Sequence, residues 1–116
     1  MKNDYTIYHN PRCSKSREAL KILQENNINP NICLYLEEKL SIETLHTLTK
    51  LLRVQVKGII RIKEKIYRDL SLKDADDNQL IQNILEHPIL LERPIIKYKN
   101  KAVIGRPPEN VLKLIN

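Results

Sequence analysis

Apolar residues along the first third of the chain predict a strand, a helix and a second strand. Residues 5–8 are β-prone and end in a polar loop, which indicates a strand. Apolar residues then recur at helical spacing over residues 14–26. Residues 31–35 are apolar on both faces, so we expect a strand inside the sheet rather than at its edge. This order implies parallel strands joined by a right-handed crossover.

The middle of the chain has a helical pattern. Ser41 is a favourable N-cap for a helix over residues 42–52, and another helix is expected over residues 55–63. Asp76 and Asp77 begin a third helix, which Pro88 ends. We therefore expect a block of helices between residues 41 and 87.

The end of the chain predicts a β-hairpin and a helix. Residues 95–98 and 101–104 are typical of two strands joined by the turn Lys99-Asn100, and Pro107 or Pro108 fits the first turn of a last helix. With the β-α-β start, this order indicates a thioredoxin-like α/β fold. We expect a mixed four-stranded sheet with a helical insertion, about residues 41–87, between its βαβ and ββα halves. The whole chain, residues 1–116, is expected to form one such domain.

The composition is that of a soluble globular protein, with 41% hydrophobic and 29% charged residues. The net charge is +6, but the basic residues are spread along the chain without interleaved aromatics, so we expect no nucleic-acid partner. Residues 1–5 lack the apolar region of a signal peptide, and no apolar run is long enough to span a bilayer. We expect a cytoplasmic monomer without a membrane partner. The three histidines and two cysteines show no metal-ligand spacing, so we predict no metal site.

Cys13 is the first candidate for chemistry, because it lies where a polar loop turns into a helix. Free backbone N–H groups and the positive end of the helix dipole converge at such a point. Both favour thiolate over thiol, and cysteines in this position titrate at roughly 3.5–7.5. The pattern predicts a reactive thiol. The alternative is a buried, unreactive cysteine beside a solvated basic helix face.

Three cations, Arg12, Lys15 and Arg17, surround Cys13 in the sequence. Cations in the first turn of a helix disfavour that helix by about 0.3–1 kcal/mol each. Their presence in spite of this penalty indicates that the segment binds or transfers an anion.

Polar residues near Cys13 are candidates to assist it. The hydroxyls of Ser14 and Ser16 can donate hydrogen bonds to a thiolate or an oxyanion, and His9 can add charge or move a proton. Ser16 also stands where a Cys-x-x-Cys motif would have its second thiol, so no local disulfide can form. Cys33 is the remaining cysteine, and we expect it to be a core residue rather than a resolving thiol.

The segment Tyr-His-Asn-Pro-Arg-Cys-Ser-Lys-Ser-Arg, residues 8–17, resembles the active-site segment of the glutaredoxin-coupled arsenate reductase family. The likeness continues in order through residues 34–37, 87–90, 92–95 and 104–109. The pair Ser14-Lys15 resembles a sister subgroup, which carries Cys-Ser-Lys-Ser-Arg, more than the arsenate-specific members of the family. The resemblance implies a thioredoxin-like fold with a helical insertion, in agreement with the pattern of elements.

The resemblance also implies roles for three arginines. Arg61, Arg93 and Arg106 match arginines that assist the nucleophilic cysteine of the family, and the peptide bond before Pro94 is expected to be cis. Guanidinium groups suit an oxyanion, since each offers paired donors and keeps its charge. Without the family, these arginines would be taken for ordinary surface residues.

The implied activity is that of an oxidoreductase, a glutathione- and glutaredoxin-dependent arsenate reductase. Cys13 would attack arsenate held by the arginines, with His9 and Ser16 as further catalytic residues, and arsenite would be released. No cofactor is expected to stay bound, because glutathione and glutaredoxin supply the electrons.

Other classes of function stay open. A thioredoxin-fold redox regulator of the Spx type would usually carry Cys-x-x-Cys, which Ser16 interrupts. An anion- or protein-binding module without arsenate activity is a related alternative. A monothiol glutaredoxin-like protein would act on glutathione mixed disulfides, and it would not need three converging arginines.

Overall fold

The computed structural model describes residues 4–115. Residues 1–3, on which part of the expectation of no signal peptide rests, and residue 116 lie outside the described residues. The chain divides into two units. The sheet unit combines the residues up to Glu38 with those from Arg93 onward, and the helical unit spans Lys39–Glu92. The predicted insertion of residues 41–87 lies within the helical unit.

The sheet unit has four strands: β1 (Tyr5–Tyr8), β2 (Asn31–Cys33), β3 (Ile95–Tyr98) and β4 (Lys101–Ile104). Their order is β2-β1-β3-β4. β1 pairs in parallel with β2 and antiparallel with β3, and β3 pairs antiparallel with β4. The predicted mixed sheet and its C-terminal hairpin are confirmed.

The position of β2 differs from the prediction. It forms an edge of the sheet and ends at Cys33, and Ile32 is 45% exposed. The expectation of an internal strand was wrong because the apolar run continues past the strand. Leu34 begins a turn, and its carbonyl accepts hydrogen bonds from the amides of Glu37 and Glu38. Tyr35 lies outside the paired strand and is buried, at 1% exposure.

A helix covers one face of this sheet. α1 (Ser14–Glu25) buries Ala19 and Leu23, which join a core with residues of β1, β3 and the C-terminal segment. The C-terminal segment begins with a 3₁₀ turn at Pro108, as the sequence predicts, and ends in a short helix, Leu112–Ile115. This packing fixes the start of α1 against the ends of the strands.

Two of the three helices predicted in the helical unit are confirmed at their starts. α2 (Ile42–Leu52) begins after Ser41, whose hydroxyl oxygen accepts a hydrogen bond from the Thr44 amide at 3.0 Å. A later helix, Asp77–Glu86, begins after Asp76, which forms a reciprocal capping box with the side chain three residues on. No helix within residues 4–115 is long and apolar enough to cross a membrane.

The helix expected over residues 55–63 was a wrong prediction. A 3₁₀ turn over Val56–Ile59 gives way to extended backbone, and Ile60 forms an antiparallel bridge with Leu91. Backbone hydrogen bonds of 2.7 and 2.8 Å flank this bridge. The chain here satisfies its polar groups by pairing with a distant segment, so it cannot continue a helix. The short helix α3 (Lys65–Asp69) follows.

Candidate active site

Cys13 lies at the junction that the sequence predicts, as the N-cap residue of α1. Its backbone is extended, with φ −95° and ψ 122°, and the helix begins at the next residue. Its amide donates to the Asn10 carbonyl at 3.0 Å, and its own carbonyl accepts from the Arg17 amide at 3.0 Å. The side chain is half-buried, and the first turn of α1 contains no acidic residue. The sulfur therefore stands at the positive end of a twelve-residue helix without a competing carboxylate.

The surroundings of Cys13 lower the pKa of its thiol. Burial, the largest single influence, raises that pKa. Four groups act in the opposite direction and outweigh burial: the Ser16 amide, the Arg93 charge, the Lys15 amide and the Arg106 guanidinium. The side chain of Cys13 forms no capping hydrogen bond with the helix, so the Ser16 and Lys15 amides act on the sulfur as nearby dipoles. Together these groups favour the thiolate.

Two arginines from the far end of the chain meet near this sulfur. Nη1 of Arg106 lies 3.8 Å from Sγ of Cys13 and also donates to the Arg93 carbonyl at 3.3 Å. Gly105 lets these loops approach, since a Cβ there would stand 2.8 Å from the Pro94 ring and its amide donates to the Pro94 carbonyl at 2.8 Å. The Arg93–Pro94 peptide bond is cis, as the resemblance implies, and so is the bond after Arg106.

His9 and Ser16 form a buried pair behind the thiol. They are 5% and 0% exposed, and Nδ1 of His9 lies 2.6 Å from Oγ of Ser16. The same oxygen accepts a hydrogen bond from the Asn10 amide at 3.0 Å. Burial, with the nearby Arg17 charge, lowers the pKa of His9, so the ring is neutral at neutral pH. We assign the Ser16 hydroxyl proton to His9 Nδ1, which leaves the ring proton on Nε2.

This arrangement changes the role expected for Ser16. Its hydroxyl contacts His9 and Asn10, and its single proton is used there. The backbone amide of Ser16, rather than the hydroxyl, acts on Cys13. Ser14 is exposed at the first position of the helix.

The three cations near Cys13 in the sequence have separate surroundings. Arg17 donates through Nη1 to the Pro11 carbonyl at 2.9 Å, and Lys15 lies 3.7 Å from Glu18. Arg12 is exposed. No side-chain charge of these three is among the groups that lower the pKa of Cys13. Closeness in sequence was therefore a poor guide, and only the family resemblance pointed to Arg93 and Arg106.

Arg61 belongs to the helical unit, where its side chain is held rather than free. Nη2 lies 2.9 Å from Oε2 of Glu64, and Nη1 donates to the Ile89 carbonyl at 3.2 Å. Its side chain is 20% exposed, which differs from the exposed residue that the sequence alone suggested. Its part in substrate binding stays a prediction.

Cys33, the second thiol, has the opposite chemistry. It is half-buried at the end of β2, opposite Tyr8, and its carbonyl accepts from the His9 amide at 2.9 Å. Burial first, and then the charge of Glu38, raise the pKa of this thiol. A neutral thiol is a poor nucleophile, so these surroundings favour Cys13 over Cys33 as the reactive residue.

Within residues 4–115, no group of three or more His, Cys, Asp or Glu side chains is placed to hold a metal ion. The helical unit has a cavity of about 540 Å³ between residues 70 and 83, beside Asp74 and Gln82. None of the predicted site residues lines it.

Fold and site together define a thioredoxin-like protein with one cysteine activated at the start of a helix. The chain belongs to the ArsC family, whose model matches residues 8–114. It is 45% identical over 112 residues to the arsenate reductase of Haemophilus influenzae, covering 94% of this chain and 97% of that protein. It is also 45% identical over 118 residues to YfgD of Escherichia coli, described as uncharacterised, covering 99% of both. The solved structure of an arsenate reductase from Vibrio cholerae matches with a TM-score of 0.91 at 44% identity, covering 94% of this chain and 95% of that one.

Proposed function

We propose that this protein is a glutathione- and glutaredoxin-dependent arsenate reductase with Cys13 as its nucleophile. The observation that carries the proposal is a thiol of lowered pKa with the Arg106 guanidinium 3.8 Å from its sulfur. The relatives named arsenate reductases, in Haemophilus influenzae and Vibrio cholerae, supply the substrate.

In the first step the thiolate of Cys13 attacks arsenic(V) and a sulfur–arsenic bond forms. One arsenic–oxygen bond breaks, and that oxygen leaves as water with protons from the arsenate hydroxyl and from solvent. Arg93 and Arg106 bind the arsenate oxygens, because each guanidinium offers paired donors with a permanent charge. Arg61 is the third arginine for which the family resemblance implies a role in substrate binding. Guanidiniums and helix amides are already oriented before the reaction, so they stabilise developing negative charge without reorganising.

In the second step a glutathione thiol attacks the sulfur of Cys13. The sulfur–arsenic bond breaks, its electron pair stays on arsenic, and arsenite leaves as arsenic(III). Cys13 is then held in a mixed disulfide with glutathione, and glutaredoxin takes that glutathione by thiol–disulfide exchange. Ser16, where a second thiol would otherwise stand, leaves no local cysteine to resolve the disulfide, which supports the need for an external thiol.

His9 and Ser16 support this chemistry by holding the start of the helix. The buried pair connects the loop to the first turn of α1, and Ser16 presents its amide to the sulfur. With Nδ1 occupied by the Ser16 hydroxyl, the neutral His9 ring keeps an Nε2 proton that can be donated. A free low-pKa thiol persists in a reducing compartment, which supports a cytoplasmic location, and we propose that the protein acts as a monomer.

The test is a coupled assay with arsenate, glutathione and glutaredoxin, in which arsenite is measured directly. We expect repeated turnover to arsenite only when the protein and both thiol components are present, and about one arsenite per protein when glutaredoxin is left out. Sustained arsenite formation without glutaredoxin would contradict its role as the electron donor. No arsenite in the complete mixture would overturn the proposed activity and favour a redox regulator or binding module.

A further inference from the structure

Arg12 is a cation next to the nucleophile Cys13, but its charge is not among those that lower the pKa of the Cys13 thiol. It is exposed, and among the described residues of the sheet unit its side chain makes no ion pair or hydrogen bond. The groups that favour the thiolate of Cys13 are helix amides and the two distant arginines. The charge of Arg12 is therefore available to a molecule that approaches Cys13 from outside.

The backbone holds Arg12 firmly at this place. Its amide donates to Oδ1 of Asn10 at 3.0 Å, and the amide of Cys13 donates to the Asn10 carbonyl at 3.0 Å. The Asn10 amide is in turn bonded to the buried hydroxyl of Ser16. Consecutive Cα atoms are about 3.8 Å apart, so a guanidinium on this residue reaches groups bound close to the sulfur.

The neighbouring cations differ in this respect. Arg17 is turned back to the Pro11 carbonyl at 2.9 Å, and Lys15 is 3.7 Å from Glu18. Both of those contacts lie within the loop or the helix. Arg12 is the residue of this cluster whose charge faces solvent without a partner in the described sheet unit.

We propose that Arg12 determines specificity for the second substrate by binding a carboxylate of the thiol that attacks Cys13. This inference rests on the proposed function, since that function requires glutathione to reach the same sulfur. Glutathione carries two carboxylates and one ammonium group, so it is a net anion. An exposed Arg–carboxylate pair contributes modestly and is screened by salt, which sets the size and the salt dependence of the effect.

The test uses a reaction that needs no arsenate. In a Cys33→Ser background, the thiolate of Cys13 attacks oxidised glutathione, the disulfide bond breaks, and one glutathione leaves as a thiolate. Cys13 is oxidised to the mixed disulfide and the released glutathione is reduced, so no other oxidant is needed. The rate is measured by mass spectrometry for oxidised glutathione and for the uncharged bis(2-hydroxyethyl) disulfide.

Arg12→Ala is expected to slow the reaction with oxidised glutathione by about three- to fivefold at low salt, and Arg12→Glu by more. Neither variant should alter the rate with the uncharged disulfide, and about 1 M KCl should remove the difference. Lys21→Ala, which removes an exposed cation further along α1, is the matched control and should behave like the parent.

Equal slowing with both disulfides, or no slowing with oxidised glutathione, would overturn the assignment of Arg12. Failure of the protein to reduce arsenate would instead count against the proposed function. The ratio of rates for the two disulfides separates these outcomes, because it contains no arsenate step.

Discussion

The start of α1 and the end of β2 each carry a half-buried cysteine, yet they give the two thiols opposite chemistry. At the start of α1, amides and arginines outweigh burial and lower the pKa of Cys13. At the end of β2, burial is reinforced by Glu38 and the pKa of Cys33 rises. Exposure is similar in the two places, so the direction of the backbone dipoles and the sign of the nearest charges decide reactivity.

His9 contacts both regions. The backbone amide of His9 donates to the Cys33 carbonyl, and its ring meets Ser16 in the first turn of α1. The parallel pairing of β1 with β2 places Cys33 opposite Tyr8, directly before this histidine in the chain.

Exchanging each sulfur for oxygen gives the largest expected contrast. Cys13→Ser should lower arsenate reduction at least about a thousandfold, because a hydroxyl is not ionised at neutral pH and the nucleophile is lost. Cys33→Ser should keep most of the rate, since a neutral thiol takes no part. Arsenite production with glutathione and glutaredoxin is the measurement. Equal losses in the two variants would make Cys33 a resolving thiol and end the contrast.

Removing Arg93 or Arg106 should move the pKa of Cys13 towards the higher pKa of Cys33. Charge-assisted hydrogen bonds contribute about 1.5–3 kcal/mol, so Arg93→Ala or Arg106→Ala should weaken arsenate binding about tenfold or more. Each variant should also raise the pKa of Cys13, because both charges lower it in the parent. Alkylation of Cys13 by iodoacetamide across pH, with and without arsenate, reports both quantities in a Cys33→Ser background.

Lys101→Ala is the control for these arginine variants, because it removes an exposed charge on β4 in the same unit. A change in Lys101→Ala as large as that in Arg93→Ala would mean that general charge, rather than the arginine position, sets the thiol pKa.

The buried pair behind the reactive thiol can be tested through stability. Ser16→Ala leaves Nδ1 of His9 and the Asn10 amide without their partner in a site that excludes water. We expect a loss of about 1–3 kcal/mol in the free energy of unfolding, measured with urea. Ser14→Ala, at the exposed first position of the helix, should change stability far less. A similar small change in both variants would show that the pair does not hold the start of α1.

Local rules predicted the start of α1 and two helices of the helical unit. A polar loop before a helical run placed Cys13 at the start of α1, and single capping residues, Ser41 and Asp76, marked two further helices correctly. These features depend on residues within one turn of each other. Such short-range chemistry is visible in the sequence.

Two features that depend on distant pairing were missed. The bridge between Ile60 and Leu91 replaced a predicted helix, and β2 proved to be an edge strand. Arg106, which the family resemblance indicated and local rules did not, acts on a sulfur 93 residues earlier, while closer cations do not. Helical neighbours point in different directions, so sequence distance does not measure distance to the sulfur.

The two thiols should give stability opposite dependences on pH. A thiol in the unfolded chain has a pKa of about 8.5, and the pKa of folded Cys13 is lower. The ionised Cys13 thiolate therefore contributes fully to the free energy of unfolding above about pH 8.5, and this contribution is lost as pH falls through the folded pKa. The pKa of Cys33 is raised, so its contribution is present below about 8.5 and is lost as pH rises towards the folded pKa. Relative to each Ser variant, the stability of the parent should rise with pH for Cys13 and fall for Cys33. Urea unfolding between about pH 6 and pH 10 measures both; parallel trends would contradict the opposite shifts.

The smallest expected effect concerns the charge beside Cys33. In the parent, the Leu34 amide donates a hydrogen bond to the Glu38 carboxylate at 2.8 Å. Glu38→Gln removes the charge but keeps a side-chain oxygen that can accept this hydrogen bond. The pKa of Cys33 should fall slightly and stay above its ordinary value, because burial is the larger cause. Alkylation across pH in a Cys13→Ser background measures it, with Glu37→Gln as the neighbouring control. An unchanged pKa of Cys33 would mean that burial alone raises it. The contrast with Cys13 would then depend on the start of α1 and on the nearby Arg93 and Arg106.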